Sequence, residues 1–223
     1  MPFSAAIFSF WEGRAFILRI IMSILSLMLQ GGILMYVLLL ISIAVLGITI
    51  EKYRQLATVK RANRAISDAL VEHTTDLKTL VDLHTTRSPI ARMLGKVMKN
   101  HTNDKELVVQ SMETAANYEL HRLEAGMAWL STFAAIAPLI GFLGTVIGMV
   151  QVFMNIEHQS SAGIDINILA GGIWVALLTT IGGLIVGIIT IVFYNDILQR
   201  LEHILHDMQD AATEYLVNYS KVQ

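Results

Sequence analysis

The chain has 223 residues, of which 54% are hydrophobic and only 15% charged, and its mean hydropathy is +0.58. That balance lies outside the ordinary soluble class and points to a membrane protein. A formal net charge of −2 gives no basic excess to neutralise phosphates, which argues against a nucleic-acid partner. The lack of any cysteine excludes disulfides, thiol chemistry and cysteine-type zinc sites.

Residues 1–31 read as an N-terminal segment at the periplasmic interface, built around an amphipathic helix, "FILRIIMSILSLML", that carries Arg19. A fourth span is the alternative. The segment does not read as a cleavable signal, because Arg14 and Arg19 come late and no A-x-A-like site follows. Three later stretches reach the roughly 20 apolar residues a bilayer requires. They are 32–50, 126–156 and 168–195. Lys52, Arg54, Lys60, Arg61 and Arg64 follow the first span, whereas the connection 157–167 has no Lys or Arg. By the positive-inside rule, 51–125 is cytoplasmic, 157–167 is periplasmic, the N-terminus lies outside and the C-terminus inside.

The loop 51–125 reads as helical. Ile66, Leu70, Leu77, Leu80 and Leu83 recur at helical spacing. Ser88 is placed to cap a second helix that opens at Pro89. A third helix is expected to start near Asn103 or Asp104 and to run straight through Glu124 into the second span. In the tail, 196–223, the positions Ile197, Leu201, Ile204, Met208, Ala211 and Tyr215 step by four and three as a heptad seam. Nothing reads as strand. The expected fold is all-α: an integral membrane protein with three transmembrane helices, an N-terminal amphipathic helix and a helical cytoplasmic bundle. His203 and His206 form an i, i+3 pair without a convincing third ligand, so a solvated helix face is the better account and no metal or other cofactor is expected.

Within the spans the small and hydroxyl residues carry the signal. Gly144 and Gly148 on the second span, and Gly183 and Gly187 on the third, form G-x-x-x-G pairs that allow close helix approach. Gly141, Thr145 and Gly148 share one face by spacing, and Ala176, Thr180, Gly183, Gly187 and Thr190 trace a similar stripe. At about 1.5 Å per residue, Thr145 and Thr180 fall at nearly the same depth on antiparallel helices. A symmetric oligomer would turn the pair into a ring of hydroxyls. The plainer alternative is that each threonine bonds its own helix. Pro138 removes a backbone donor and frees the Ala134 carbonyl, so a kink is expected there. From 126 to 156 and from 166 to 194 there is no Asp, Glu, Lys, Arg or His. Proton movement through such a chain therefore needs an acid from a partner helix.

The runs "GGILMYVLLLISIAVLGITIEKYRQL", "APLIGFLGTVIGMVQVF" and "GGIWVALLTTIGGLIVGIITIVFYN" make the chain similar to the MotA/TolQ/ExbB proton-channel family, most closely to its ExbB/TolQ branch. The resemblance implies an inner-membrane stator subunit of a motor driven by the proton-motive force. It implies a homo-oligomer, a pentamer, around a dimer of single-span ExbD- or TolR-like partners whose membrane Asp carries the proton. A TonB- or TolA-like protein would receive the work. Thr145 and Thr180 would match the family's pore threonines, with Thr190, Gly141, Gly148, Ala176, Gly183 and Gly187 as a candidate pore stripe and Pro138 as a kink. Two positions depart from the pattern: Val175 stands where a glutamate is usual, and Ile189 where a proline is usual. The alternative is a passive scaffold that oligomerises around a single-span partner and clamps it without conducting. No nucleophile–base or metal constellation supports an enzyme.

Overall fold

The computed structural model describes residues 31–71, 77–99, 105–158 and 166–220. The N-terminal amphipathic helix expected over 16–29 lies outside them, as does the start expected at Asn103 or Asp104. Among the described residues the regular elements are helices: α1 (Gly32–Val71), α2 (Leu77–His84), α3 (Pro89–Lys99), α4 (Lys105–Glu124), α5 (Met127–His158) and α6 (Ile166–Ser220). Three of them, α1, α5 and α6, are long and apolar enough to cross a membrane, with mean hydropathies of 2.8, 2.2 and 2.5 over their most apolar stretches. Helix α1 does not end with its apolar half, and α6 carries the third span unbroken into the tail. The chain divides into two compact units. One, the span unit, comprises the described residues up to Val45 together with Thr132–Thr190. The other, the polar bundle, comprises Leu46–Ser131 and the described residues from Ile191 onward.

The polar bundle has a core because its helices keep apolar residues at steps of three and four. Leu56, Val59, Ile66 and Leu70 are buried on α1; Ile90, Met93, Leu94 and Val97 on α3; Val108, Met112, Ala115 and Leu123 on α4. The heptad seam of α6 is buried at Ile197, Leu201, Ile204, Met208 and Ala211, and Tyr215 packs against its edge. Helix α3 packs on α4, and α2 on α3. Leu83 does not join this core; it is 72% exposed, while Val81 is buried in its place. Helix α2 is only eight residues long, and Leu80 packs against the core beside Val81.

Some of the polar residues within the bundle close helix ends, and others pair one helix with another. Ser88 accepts from the Ala91 N–H at 3.1 Å as the cap of α3 and donates to Asn63 Oδ1 at 2.7 Å. Arg92 donates through Nε to Glu119 at 2.7 Å, and through Nη1 to the Thr85 and Thr86 carbonyls at 3.0 Å each, just past the end of α2. Lys52 Nζ donates to the Leu123 carbonyl at 2.9 Å, in the last turn of α4, where a helix leaves carbonyls without donors. Burial pushes the Lys52 ammonium below its ordinary pKa, and the Glu51 charge partly opposes this. Tyr53 donates to Asp196 Oδ2 at 2.5 Å, and Arg200 pairs with the same carboxylate at 2.8 Å while lying over the Tyr53 ring. The hydrogen bond from Arg200, then that from Tyr53, holds the Asp196 carboxyl below its ordinary range.

Helix α4 does not run straight into α5. The helix stops at Glu124 and α5 begins at Met127, with Gly126 between them at φ +88°. A side chain rarely adopts that backbone conformation, so the break is set by glycine. The sequence-based expectation of one continuous helix is corrected at this point.

Candidate functional site

The site lies where α5 and α6 cross in the span unit. The two helices run antiparallel in a regular register read from their closest approaches: Val152 beside Gly172, Gly148 beside Ala176, Gly144 beside Thr179, Gly141 beside Thr180 and Gly183, and Pro138 beside Gly187. Glycine is needed at the centre because backbone meets backbone. A Cβ on Gly183 would stand 2.6 Å from the Ala137 carbonyl oxygen and 2.8 Å from Gly141 Cα, and a Cβ on Gly141 would stand 2.8 Å from the Thr179 carbonyl oxygen. Neither neighbour is a flexible side chain that could step aside, so any larger residue must separate the helices. In lipid, where apolar surface gives helices no drive to associate, such contact is the main source of packing.

This geometry revises the expected stripe. Gly141, Gly148, Ala176, Gly183 and Gly187 are buried between α5 and α6 of one chain, so their surface is used inside the chain. Thr190 is fully buried and its hydroxyl donates to the Val186 carbonyl, one turn back on its own helix, at 2.6 Å. The face of α5 turned to α6 is formed by Gly141, Gly144 and Gly148, and Thr145 flanks it, half-buried. Helix α5 continues through Pro138, whose ring fits against Gly187: a Cβ there would stand 2.6 Å from the proline Cγ.

The two candidate threonines do fall at one level in this register, and they behave differently. Thr145 Oγ1 donates to the Phe142 carbonyl on its own helix at 2.6 Å, the plainer of the two sequence readings. Thr180 Oγ1 crosses to α5 and donates to the Gly141 carbonyl at 3.0 Å. Thr179, absent from the sequence-based candidates, is 2% exposed and donates to the Ala176 carbonyl at 2.8 Å, with the Gly141 carbonyl at 3.4 Å. Its signal in the sequence was the T-T pair itself, since two adjacent hydroxyls on one helix point about 100° apart. One of them was bound to face the neighbour more squarely than the other. Val175, at the usual glutamate position, is half-buried.

Much of the span unit's surface is not covered within the chain. Of the most apolar stretch of each spanning helix, only 22% (α1), 22% (α5) and 33% (α6) is buried. Its apolar core gathers Met35, Leu38, Ala137 and Leu178. Among the described residues no group of three His, Asp or Glu side chains is placed to hold a metal ion, and His203 and His206 are exposed.

A family model described as the MotA/TolQ/ExbB proton channel family matches residues 85–210. A biopolymer transport protein of Synechocystis sp., ExbB-like 1, is 31% identical over a segment covering 75% of this chain and 67% of that protein. An ExbB homologue of Methanothermobacter thermautotrophicus is 27% identical, over 81% of this chain and 64% of its own. The Tol-Pal system protein TolQ of Haemophilus influenzae is 32% identical, over 48% and 46%. The alignments thus span from 46% to 67% of the length of these relatives. With three helices of spanning length, the chain is a multi-pass membrane protein, and it belongs to the MotA/TolQ/ExbB proton channel family, in the ExbB/TolQ branch.

Proposed function

We propose that this chain is the inner-membrane stator and channel subunit of an ExbB–ExbD- or TolQ–TolR-like motor, which uses the proton-motive force to energise outer-membrane transport or envelope processes. The reading places the N-terminus in the periplasm, and the C-terminus and polar bundle in the cytoplasm, on the strength of the basic residues after the first span. The observation that carries it is the α5–α6 crossing: two hydroxyls, Thr145 and Thr180, at one level in stretches without a titratable side chain. Hydroxyls can hand hydrogen bonds to a passing acid but cannot themselves hold a transported proton near neutral pH. The acid therefore comes from elsewhere: a single-span ExbD- or TolR-like partner with one membrane Asp, held as a dimer inside a ring of five copies of this chain. The uncovered apolar surface of the spans supports such a ring. A TonB- or TolA-like protein would take up the motion. Val175 leaves the outer part of the path less polar than in the family pattern.

The test is proton uptake into vesicles holding the complex of this chain with its single-span partner. Thr180→Ala and Thr145→Ala should each abolish uptake at a fixed membrane potential while the purified complex keeps its size. Variants that assemble and conduct like the parent would favour the passive scaffold, in which the seam serves packing alone.

A further inference from the structure

The Gly141 carbonyl is shared by more donors than it can serve at once. Within α5 it faces the Thr145 N–H, as in any α-helix, which takes up one lone pair. Thr180 Oγ1 takes the other at 3.0 Å, and Thr179 Oγ1 stands next in line at 3.4 Å while bonding the Ala176 carbonyl at 2.8 Å. Thr179 is held there by shape. Its side chain fills the notch left by Gly144, where a Cβ would come within 2.6 Å of Thr179 Cβ.

We propose that Thr179 is a positioning residue for Thr180, taking over the Gly141 carbonyl whenever the Thr180 hydroxyl turns toward the partner's acid. This rests on the reading of Thr180 as part of the proton path. With Thr179 behind it, Thr180 changes partner without costing the Gly141 carbonyl its hydrogen bond from α6, so the α5–α6 contact stays closed during the exchange. Without Thr179, each exchange opens a gap in the seam.

Two measurements test it. The first is a double-mutant cycle on thermal unfolding of the full chain in micelles. Thr179→Val and Thr180→Val should each shift the midpoint only slightly, and together should shift it by more than the sum, because each hydroxyl backs up the other. The second is proton uptake by the reconstituted complex. Thr179→Val should lower uptake about tenfold and Thr179→Ser should keep it within about twofold of the parent, because serine retains the hydroxyl. Additive midpoint shifts, or a Thr179→Val complex that conducts like the parent, would overturn the proposal while leaving the channel reading in place. A parent complex that passes no protons would overturn the channel reading, and with it the role given to Thr179.

Discussion

The polar bundle and the span unit solve the same packing problem with opposite materials. Among the described residues the bundle gathers 22 buried apolar side chains into one core, whereas the span unit gathers four. In the bundle, water drives large side chains together, and Ser88, Arg92 and Lys52 bond the free backbone groups at helix ends. In the span unit, bare backbone meets bare backbone, and two hydroxyls fasten the crossing to one carbonyl. The lesson is that the bundle is stable by burial, while the span unit is precise by closeness and leaves most of its apolar surface for lipid or further chains.

The sharpest way to break this contrast is to remove a charge in the bundle. Arg92→Met leaves the Glu119 carboxylate, 2% exposed, without its 2.7 Å partner, and Arg122 stands at 3.7 Å with half its side chain in solvent. It also strips the carbonyls at the end of α2. Chemical unfolding should show a loss of about 3–5 kcal/mol. A smaller effect is expected in the span unit from Gly183→Ala. The added methyl meets the Ala137 carbonyl and Gly141 Cα, so the helices must part, at about 1–3 kcal/mol. Thermal unfolding in micelles measures this, and Gly47→Ala, in mid-helix where a Cβ meets nothing within 4 Å, serves as the control for the backbone effect and should be neutral to stabilising. If both glycines respond alike, close approach is not what holds the crossing.

The smallest effect concerns pH. The Asp196 carboxyl is held below its ordinary range, so its contribution is present above about pH 4, the unfolded value, and is lost as pH falls through the lower folded value. Stability followed from pH 6 down to pH 2 should fall less steeply in Asp196→Asn than in the parent. Because the Asp196 and Arg200 side chains are 39% and 51% exposed, water screens the pair and the difference is modest.

Much of this was legible in the sequence, for physical reasons. The three spans follow from length and hydropathy, and the seam from Ile197 to Ala211 follows from its heptad steps, because burial leaves a periodic trace. Ser88 before Pro89 marked a helix start because capping has its own chemistry. What stayed hidden depended on which neighbour a residue meets. Leu83 fits the helical period yet faces solvent, while Leu80 and Val81 of the same two-turn helix pack inward. Gly126 sits in a run that looks continuous, and only its backbone angle shows the break. The stripe of small residues was legible as a packing face, but not that both halves of the contact belong to one chain. Thr179 was missed because adjacent hydroxyls differ only in direction, which the register of α5 against α6 decides.

The central claim is that Thr145 and Thr180 together face a path on which another protein's acid travels. A structure of the assembled oligomer in lipid tests it most directly. The account predicts a central cavity with positions 145 and 180 on its wall at one level, and a partner helix bearing a carboxylate within reach of them. Both threonines turned toward lipid, or a cavity that admits no second protein, would contradict it.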